Sequence, residues 1–157
     1  MDKEKLAPAL GKITSGLYIA TGLHDQQQVG MLCSFIEQAG FDPPMVTIAV
    51  QPGRMLHAAI ETSGHFGLNV LGENDTSLMK PFTQGDNPDP FADLALIPND
   101  HALPQLADAL AFLACRVVGS LRCGGDHIVY MAEVFDGELL EEEDKPMVRI
   151  RRNGFSY

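Results

Sequence analysis

The sequence predicts a mainly β protein, in which about six or seven strands form a barrel with about two or three short helices beside it. Two observations lead to this fold class. Apolar runs rich in β-branched residues recur at short spacing and are bounded by Gly, Pro, Asn and Asp. The strand–helix alternation and the Gly-rich fingerprint of a doubly wound parallel sheet do not occur. The length of 157 residues predicts one domain over residues 1–157.

The first half of the chain has the pattern of a helix, a hairpin, a buried strand and a second helix. Its predicted elements are a helix over 2–12, strands over 17–21 and from about 29, a strand over 45–50, a helix over roughly 54–62 and a strand over 65–71. The continuous apolar run at 45–50 predicts a strand covered on both faces. Leu56, Ala59 and Ile60 share one side of the second helix and predict its buried stripe.

The second half predicts a short helix, a long loop and a hairpin of long strands. Its predicted elements are a helix from Asp75 or Thr76 to Lys80, strands over 109–123 and 127–134, a turn at Gly137, and a last strand continued into the sheet by 147–152. The proline-rich segment 83–105 is typical of loops that are functional or flexible. Arg149, Arg151 and Arg152 predict an edge strand with outward charges.

Charge and composition exclude several classes of protein. The 11 basic and 21 acidic residues give a formal net charge of −10, which argues against nucleic acid as a partner. No apolar run is long enough to span a membrane, and the N-terminal segment lacks the apolar core of a signal peptide. We therefore expect a cytoplasmic protein. Cys33, Cys115 and Cys123 lack zinc-like spacing and are expected to be buried thiols.

Residues 30–35 are the most unusual stretch, because small and polar residues stand where a core strand would carry Val or Ile. Such a backbone can approach a flat ligand closely and read its edge through N–H and C=O groups. Residues 37–40 and the break at 41–44 follow directly. An edge strand that runs into a proline turn would give the same pattern.

Two further segments are candidate anion contacts. The turn 51–54 opens a predicted helix, whose free N–H groups suit a phosphate, and Arg54 adds a positive charge. A solvated arginine is the simpler interpretation of that residue. Lys80 is a second candidate cation, although a charge at a helix end explains it equally well.

His127 is the histidine whose setting suggests chemistry. Glycines and Asp126 precede it at the start of a predicted strand, and Asp126 could orient it by a hydrogen bond or cap the turn. A turn histidine without function has the same appearance. The other histidines are scattered, so no metal site is predicted, and hydrolase and P-loop motifs are absent.

Taken together, these stretches make the sequence similar to the flavin reductase family of FMN-binding split β-barrels. The resemblance covers nearly the whole chain. The stretches that carry it are, in order, GLYIAT at 16–21, GMLCS at 30–34, PPMVTIAV at 43–50, SGHFGLNVL at 63–71 and GDH at 125–127. LMKPF at 78–82 and RNGFSY at 152–157 resemble the flavin reductase module of diflavin flavodiiron proteins. The resemblance implies a Greek-key antiparallel barrel.

The resemblance also implies a set of cofactor contacts. Those at the FMN ring and ribityl chain would be Met31, Leu32, Cys33 and Ser34. Those beside the ribityl phosphate would be Gln38, Ala39 and Gly40. Those that complete the phosphate end would be Gln51, Pro52, Gly53, Arg54 and Met55, with Lys80 and Phe82 as further contacts. His127 would face the nicotinamide, as the candidate catalytic residue.

Three positions depart from the family pattern. Many members have Thr at position 32 and Ser at positions 35 and 40, where this chain has Leu32, Phe35 and Gly40. The hydroxyl donors of those residues are therefore absent. Backbone groups can replace a hydroxyl, and both FMN and FAD remain open as cofactors.

The function that the resemblance implies is an FMN-dependent NAD(P)H:flavin oxidoreductase, which works as a homodimer with the flavin near the subunit interface. Hydride would pass from the nicotinamide C4 to flavin N5 and electrons onward to free flavin, a metal centre, a redox partner protein or oxygen. Such a step needs orientation more than an acid or a base. Two alternatives stay open: an FMN-bound electron carrier reduced by a partner protein, and a flavin-free dimeric binding domain on the same barrel.

Overall fold

The structure is a computed structural model that describes residues 1–83, 87–122 and 124–155. Its helices are α1 (Lys3–Leu10), α2 (Met55–Ser63) and α3 (Thr76–Thr83). Its strands are β1 (Ser15–Gly16), β2 (Tyr18–His24), β3 (Gln27–Cys33), β4 (Ile36–Phe41), β5 (Pro44–Val50), β6 (His65–Val70), β7 (Leu96–Ile97), β8 (Gln105–Leu106), β9 (Ala111–Arg122), β10 (Ile128–Leu139) and β11 (Val148–Arg149).

Seven strands form the main sheet, in the order β3-β2-β6-β9-β10-β5-β4, and every neighbouring pair is antiparallel. The sheet curls around one buried cluster, to which each strand contributes. One member from each strand is Ala20, Cys33, Ile36, Ile48, Phe66, Cys115 and Tyr130. Leu56 and Ile60 of α2 join the same cluster, as their spacing predicts. The predicted mainly β barrel is confirmed.

Local sequence explains where the β2–β3 hairpin turns and where helix α2 ends. The β2–β3 hairpin turns through Asp25 and Gln26, whose φ angles are 48° and 65°. Two successive left-handed residues match the twist of the flanking strands, which is why such tight turns close hairpins. Helix α2 ends at Gly64, which takes φ 70° and donates its N–H to the Ile60 carbonyl.

A second buried cluster lies outside the barrel, beneath the long segment between α3 and β9. It joins Ile19 of β2 to Leu78 of α3 and to Phe91 and Leu106 of the long segment. The segment also forms the two-stranded β7–β8 sheet. Residues 84–86, which belong to the predicted functional or flexible loop, lie outside the described residues. The described remainder of this loop packs over the barrel and contributes side chains to the second buried cluster.

A buried polar network, here called the loop anchor, ties this segment to the barrel and consists of Thr21, Asn69, Pro104 and Leu106. Thr21 donates its hydroxyl to the Pro104 carbonyl at 2.7 Å. The Asn69 amide donates to the Pro104 carbonyl at 3.3 Å and accepts the Leu106 N–H at 2.8 Å. Both polar side chains are fully buried, so each must find its hydrogen bonds inside the protein.

Three predictions about the strands were wrong. β5 is buried on alternate residues only, because its other face is the outer surface of the barrel. Gly137 does not turn the chain, because it pairs with Leu113 inside the β9–β10 ladder. The segment 147–152 does not continue the main sheet, because β11 pairs with β1 in a separate two-stranded sheet.

The cysteine prediction is confirmed where the structure describes the residue. Cys33 and Cys115 are buried free thiols, and burial raises the pKa of each to about 12. Cys123 lies outside the described residues, as do Ser156 and Tyr157 of the C-terminal motif. Among the described residues, no helix is long and apolar enough to cross a membrane.

Candidate functional site

A cleft of about 390 Å³ opens at the edge of the barrel. Its walls come from the end of β3, the turn before α2, α3, the start of β10 and β11. The residues that line it are Leu17, Met31, Leu32, Cys33, Ser34, Phe35, Ala49, Gln51, Arg54, Met79, Phe82, Thr83, His127 and Arg149. This mixture of a mostly apolar lining with few polar groups is typical of sites for small organic ligands and cofactors.

The close approach of α3 to β3 forms one wall of the cleft and depends on Gly30. A Cβ at Gly30 would collide with the ring of Phe82 and would lie 2.9 Å from Phe91. Phe82 and Phe91 pack edge to face, with ring centroids 5.2 Å apart. The absence of a side chain at Gly30 therefore lets the Phe82 ring pack closely against β3, which explains a glycine in the middle of this strand.

The segment that follows β3 is held in place by the backbone of β5. The Phe35 carbonyl accepts the Ala49 N–H at 3.0 Å, and both residues line the cleft. Ser34 is buried beside them. Residues 34 and 35 of the predicted binding stretch therefore connect β3 to β4. Their backbone is held in place by the hydrogen bond to β5.

The charged residues of the cleft are both arginines. Arg54 stands at the N-cap of α2 and makes no side-chain capping bond, and Arg149 lies on β11. No Asp or Glu is among the described residues that line the cleft. In a chain with a net charge of −10, this local excess of positive charge favours a negatively charged ligand.

His127 lies in the cleft, where it contacts Asp126 and Phe35. Its Nδ1 is 2.8 Å from Asp126 Oδ1, and its ring packs edge to face against Phe35 at a centroid distance of 5.5 Å. The bond to His127 lowers the pKa of Asp126, so the carboxylate form is favoured. The predicted hydrogen bond between Asp126 and His127 is present in the structure. It fixes the orientation of the imidazole ring.

Phe35 is in turn packed against a cation. The guanidinium of Arg151 lies 5.1 Å from the centroid of the Phe35 ring. Arg151, Phe35 and His127 therefore pack in series, and Phe35 and His127 line the cleft. Contacts of this kind are each modest in strength, but together they fix the orientation of both rings.

The structure brings together more than half of the residues that the sequence predicted as a site. Those that line the cleft are Met31, Leu32, Cys33, Ser34, Gln51, Arg54, Phe82 and His127. Pro52, Gly53 and Met55 are exposed beside Arg54, without lining the cleft. Lys80 is exposed on α3, one residue from Met79. Contact of these residues with a ligand stays a prediction.

Gln38, Ala39 and Gly40 are placed elsewhere. They lie along the edge strand β4, and Gln38 and Ala39 are exposed. The chain turns away from the cleft after Phe35, so neighbours in sequence to the cleft residues are not neighbours in space. Their predicted role beside a phosphate has no support from the cleft of a single chain and stays a prediction.

Sequence reasoning did not select several residues that line the cleft, namely Leu17, Phe35, Ala49, Met79, Thr83 and Arg149. Phe35 belonged to the unusual stretch 30–35 and was noted as a departure from a family pattern, but it was not selected as a site residue. The outward direction predicted for Arg149 was wrong: Arg149 lines the cleft and is partly buried, whereas its neighbours Val148 and Ile150 are 61% and 74% exposed. A two-residue period shows that the faces alternate, but it does not tell which face points inward.

Comparison with known proteins places the chain in a family. The flavin reductase like domain matches residues 10–156. The reductase component of a 4-nitrophenol 4-monooxygenase/4-nitrocatechol 2-monooxygenase from Rhodococcus opacus is 38% identical over 138 residues, which is 88% of this chain and 73% of that protein. Diflavin flavoprotein A 1 of Synechocystis sp. is 35% identical over 155 residues, which is 97% of this chain but 27% of that protein.

A solved structure supports the same assignment. The nitrilotriacetate monooxygenase component B homologue from Mycobacterium thermoresistibile superposes with a TM-score of 0.86 at 29% identity, covering 96% of this chain and 83% of that one. The chain therefore belongs to the flavin reductase-like family, whose members are oxidoreductases.

Proposed function

We propose that this protein is an NAD(P)H:flavin oxidoreductase that binds FMN in the cleft and uses NADH or NADPH as reductant. The observation that carries the proposal is an apolar cleft whose charged lining residues, within the described chain, are arginines alone. A flavin nucleotide has matching chemistry, since it combines a flat apolar ring system with an anionic phosphate. The electrons would pass to free flavin or to a partner protein.

The residues of the cleft fit such a ligand. Met31, Leu32 and Phe82 offer an apolar surface to a planar ring. Arg54 offers a cation at the start of α2, where the first N–H groups of the helix lack intrahelical partners. When bound, the flavin would supply the redox chemistry by accepting hydride from the nicotinamide.

The chain's own contribution is then binding and orientation. His127 would contact the nicotinamide side of the ligand, with its ring fixed by Asp126 and Phe35. Cys33 lines the cleft, but burial raises its thiol pKa to about 12. It is therefore a neutral apolar wall at physiological pH and does not act as a nucleophile.

The proposal includes a homodimer in the cytoplasm. Leu121 and Met131 are 62% and 48% exposed and occupy one outer face of the paired strands β9 and β10. Val129 pairs with both Leu121 and the cleft residue Ala49, so this face adjoins the cleft. The proposed homodimer is tested by sedimentation of the wild type and of Met131→Glu. We expect the variant to dimerise more weakly. A monomeric wild type would contradict this part of the proposal.

The central test is a binding and turnover measurement on the purified protein. FMN is titrated by its fluorescence, and oxidation of NADH and of NADPH is then followed by absorbance. We expect FMN binding and flavin-dependent oxidation, unchanged in the control Arg152→Gln, whose residue is exposed outside the cleft. The absence of both activities would refute the proposal. FMN binding without nicotinamide oxidation would instead indicate an electron carrier that a partner protein reduces.

A further inference from the structure

At the last strand, β11, the apolar side chains are exposed and the charged side chain is partly buried. This is the reverse of the arrangement that an edge strand of a soluble protein normally has. Val148 and Ile150 are 61% and 74% exposed, whereas Arg149 between them is partly buried and lines the cleft. Apolar side chains normally take the buried face and arginine the solvent. The inverted order places the charged side chain of Arg149 in the cleft, between two exposed apolar neighbours.

The position of Arg149 is fixed by the strand pairing at this point. Arg149 pairs with Ser15 in the β1–β11 ladder, and Leu17, two residues further along, lines the same cleft. Because side chains two residues apart on extended chain share a face, the ladder directs Arg149 towards the cleft. Val148 and Ile150, as the immediate neighbours of Arg149 on an extended chain, point to the opposite face and are therefore exposed.

The two arginines of the cleft have no acidic partner among the described residues. Across residues 1–83, 87–122 and 124–155, the ion pairs do not include Arg54 or Arg149. This is notable in a chain with 21 acidic and 11 basic residues. Arg151 differs from both, because its guanidinium packs over the Phe35 ring.

We propose that Arg149 is a second phosphate contact in the cleft, so that the cleft accepts a ligand with two phosphate groups. This inference rests on the proposed function. The single phosphate of FMN is assigned to Arg54, and a second unpaired cation on a separate strand matches a second anionic group. The adenylate-side phosphate of FAD and a phosphate of the nicotinamide dinucleotide have this chemistry in common.

The test compares ligands that differ in phosphate number. Riboflavin, FMN and FAD are titrated against the wild type and Arg149→Gln, and KM is measured for NADH and NADPH. Loss of a charged hydrogen bond is expected to weaken the affected ligand by about tenfold or more. Arg152→Gln, an exposed arginine of the same segment, serves as the matched control and is expected to change none of these values.

The pattern of losses identifies the source of the phosphate. If FAD weakens about tenfold while riboflavin and FMN stay within about twofold, Arg149 contacts the flavin dinucleotide. If KM for a nicotinamide dinucleotide rises by a similar factor with flavin affinities unchanged, Arg149 contacts the reductant. Either outcome supports the proposal, and Arg149→Lys should then retain most of the affected binding because it keeps the charge.

Two outcomes overturn the proposal. One is an Arg149→Gln protein with unchanged values for every ligand, and the other is an equal loss for riboflavin and FAD, which would indicate a structural role. The salt dependence of wild-type binding is a second measurement that needs no variant. Two charge contacts predict a steeper loss of affinity with ionic strength than one. A wild type that binds no flavin and no nicotinamide would refute the proposed function itself, which is a distinct result.

Discussion

The loop anchor and the cleft both contain polar residues on the same barrel, but the polar residues of the two regions differ in whether the protein itself satisfies them. In the loop anchor, Thr21 and Asn69 are fully buried and each is hydrogen-bonded to the segment that crosses them. In the cleft, Arg54 and Arg149 have no ion-pair partner among the described residues. The polar groups of the loop anchor are satisfied inside the protein, whereas the charges of the cleft remain for the proposed ligand.

The difference gives each region its own expected response to mutation. Removing a polar group from the loop anchor leaves buried partners unsatisfied and lowers the free energy of unfolding. Removing a cation from the cleft leaves no buried partner behind, so it should lower ligand affinity with little effect on stability. Variants in the two regions therefore test whether the comparison holds.

The largest effect is expected for Asn69→Leu. The substitution keeps the branched shape of the side chain but leaves the Leu106 N–H without its acceptor and removes one of the two side-chain donors to the Pro104 carbonyl. We expect a loss of about 3 kcal/mol in the free energy of unfolding, measured by urea denaturation. Asn74→Leu, an exposed position, is the control and should change stability by less than about 0.5 kcal/mol. Equal stability of the two variants would contradict the structural role of the loop anchor.

Arg54→Gln is expected to show the reverse pattern. Loss of a charged hydrogen bond to phosphate, about 1.5–3 kcal/mol, should weaken FMN binding by about tenfold or more. The melting temperature without ligand should stay close to that of the wild type, because Arg54 is exposed. Riboflavin, which lacks the phosphate, should bind both proteins equally. Unchanged FMN affinity would indicate that the phosphate binds away from Arg54, and Lys80 would then be the next candidate.

His127→Ala tests the proposed contact between His127 and the reductant. We expect kcat/KM for the nicotinamide to fall by about tenfold, the scale of one lost polar contact, with FMN affinity unchanged. Asp126→Asn should have a smaller effect, because an amide can still accept a hydrogen bond from His127 Nδ1. Steady-state kinetics measure both variants. Intact turnover in His127→Ala would show that the Asp126–His127 pair is structural.

The smallest effect concerns an exposed pair that joins the long segment to β10. His101 Nε2 lies 2.7 Å from Asp136 Oδ2, and this hydrogen bond lowers the pKa of the Asp136 carboxyl. A lowered folded-state pKa means that the stabilisation is present above the ordinary carboxyl pKa and is lost as the pH falls through the lowered one.

Asp136→Asn should therefore melt slightly below the wild type at pH 7, and the two melting curves should converge in acid. Thermal denaturation from neutral pH to about pH 2 measures this difference. Asp93→Asn, an exposed position, is the control. A difference that grows as the pH falls would contradict the sign of the effect.

Much of the barrel could be predicted from the sequence because it depends on local patterns. The spacing of Leu56, Ala59 and Ile60 gave α2 and its buried face correctly. The hairpin of β2 and β3 followed from two apolar runs around a polar turn. These features depend on residues that are close in the chain, where periodicity and turn chemistry act directly.

The parts that could not be predicted depend on contacts between distant residues. The alternation around Arg149 does not show which face is covered, because the answer comes from pairing with Ser15. Gln38 follows Ser34 in a stretch that resembles a family motif, yet it lies on the edge strand β4. Asn69, also within a recognised motif, holds a loop that begins far from it in sequence. A sequence motif indicates that its residues are important. It does not distinguish a role in ligand binding from a role in the stability of the fold.

The pairing of β1 with β11 has a consequence for the order in which the protein folds. The ladder joins Ser15 to Arg149, which are roughly 130 residues apart in the chain, through only a short stretch of backbone. Closing so long a loop costs entropy that few contacts repay, so we expect this ladder to form after the barrel hairpins. The barrel would then be native by most spectroscopic probes before Arg149 takes its place in the cleft.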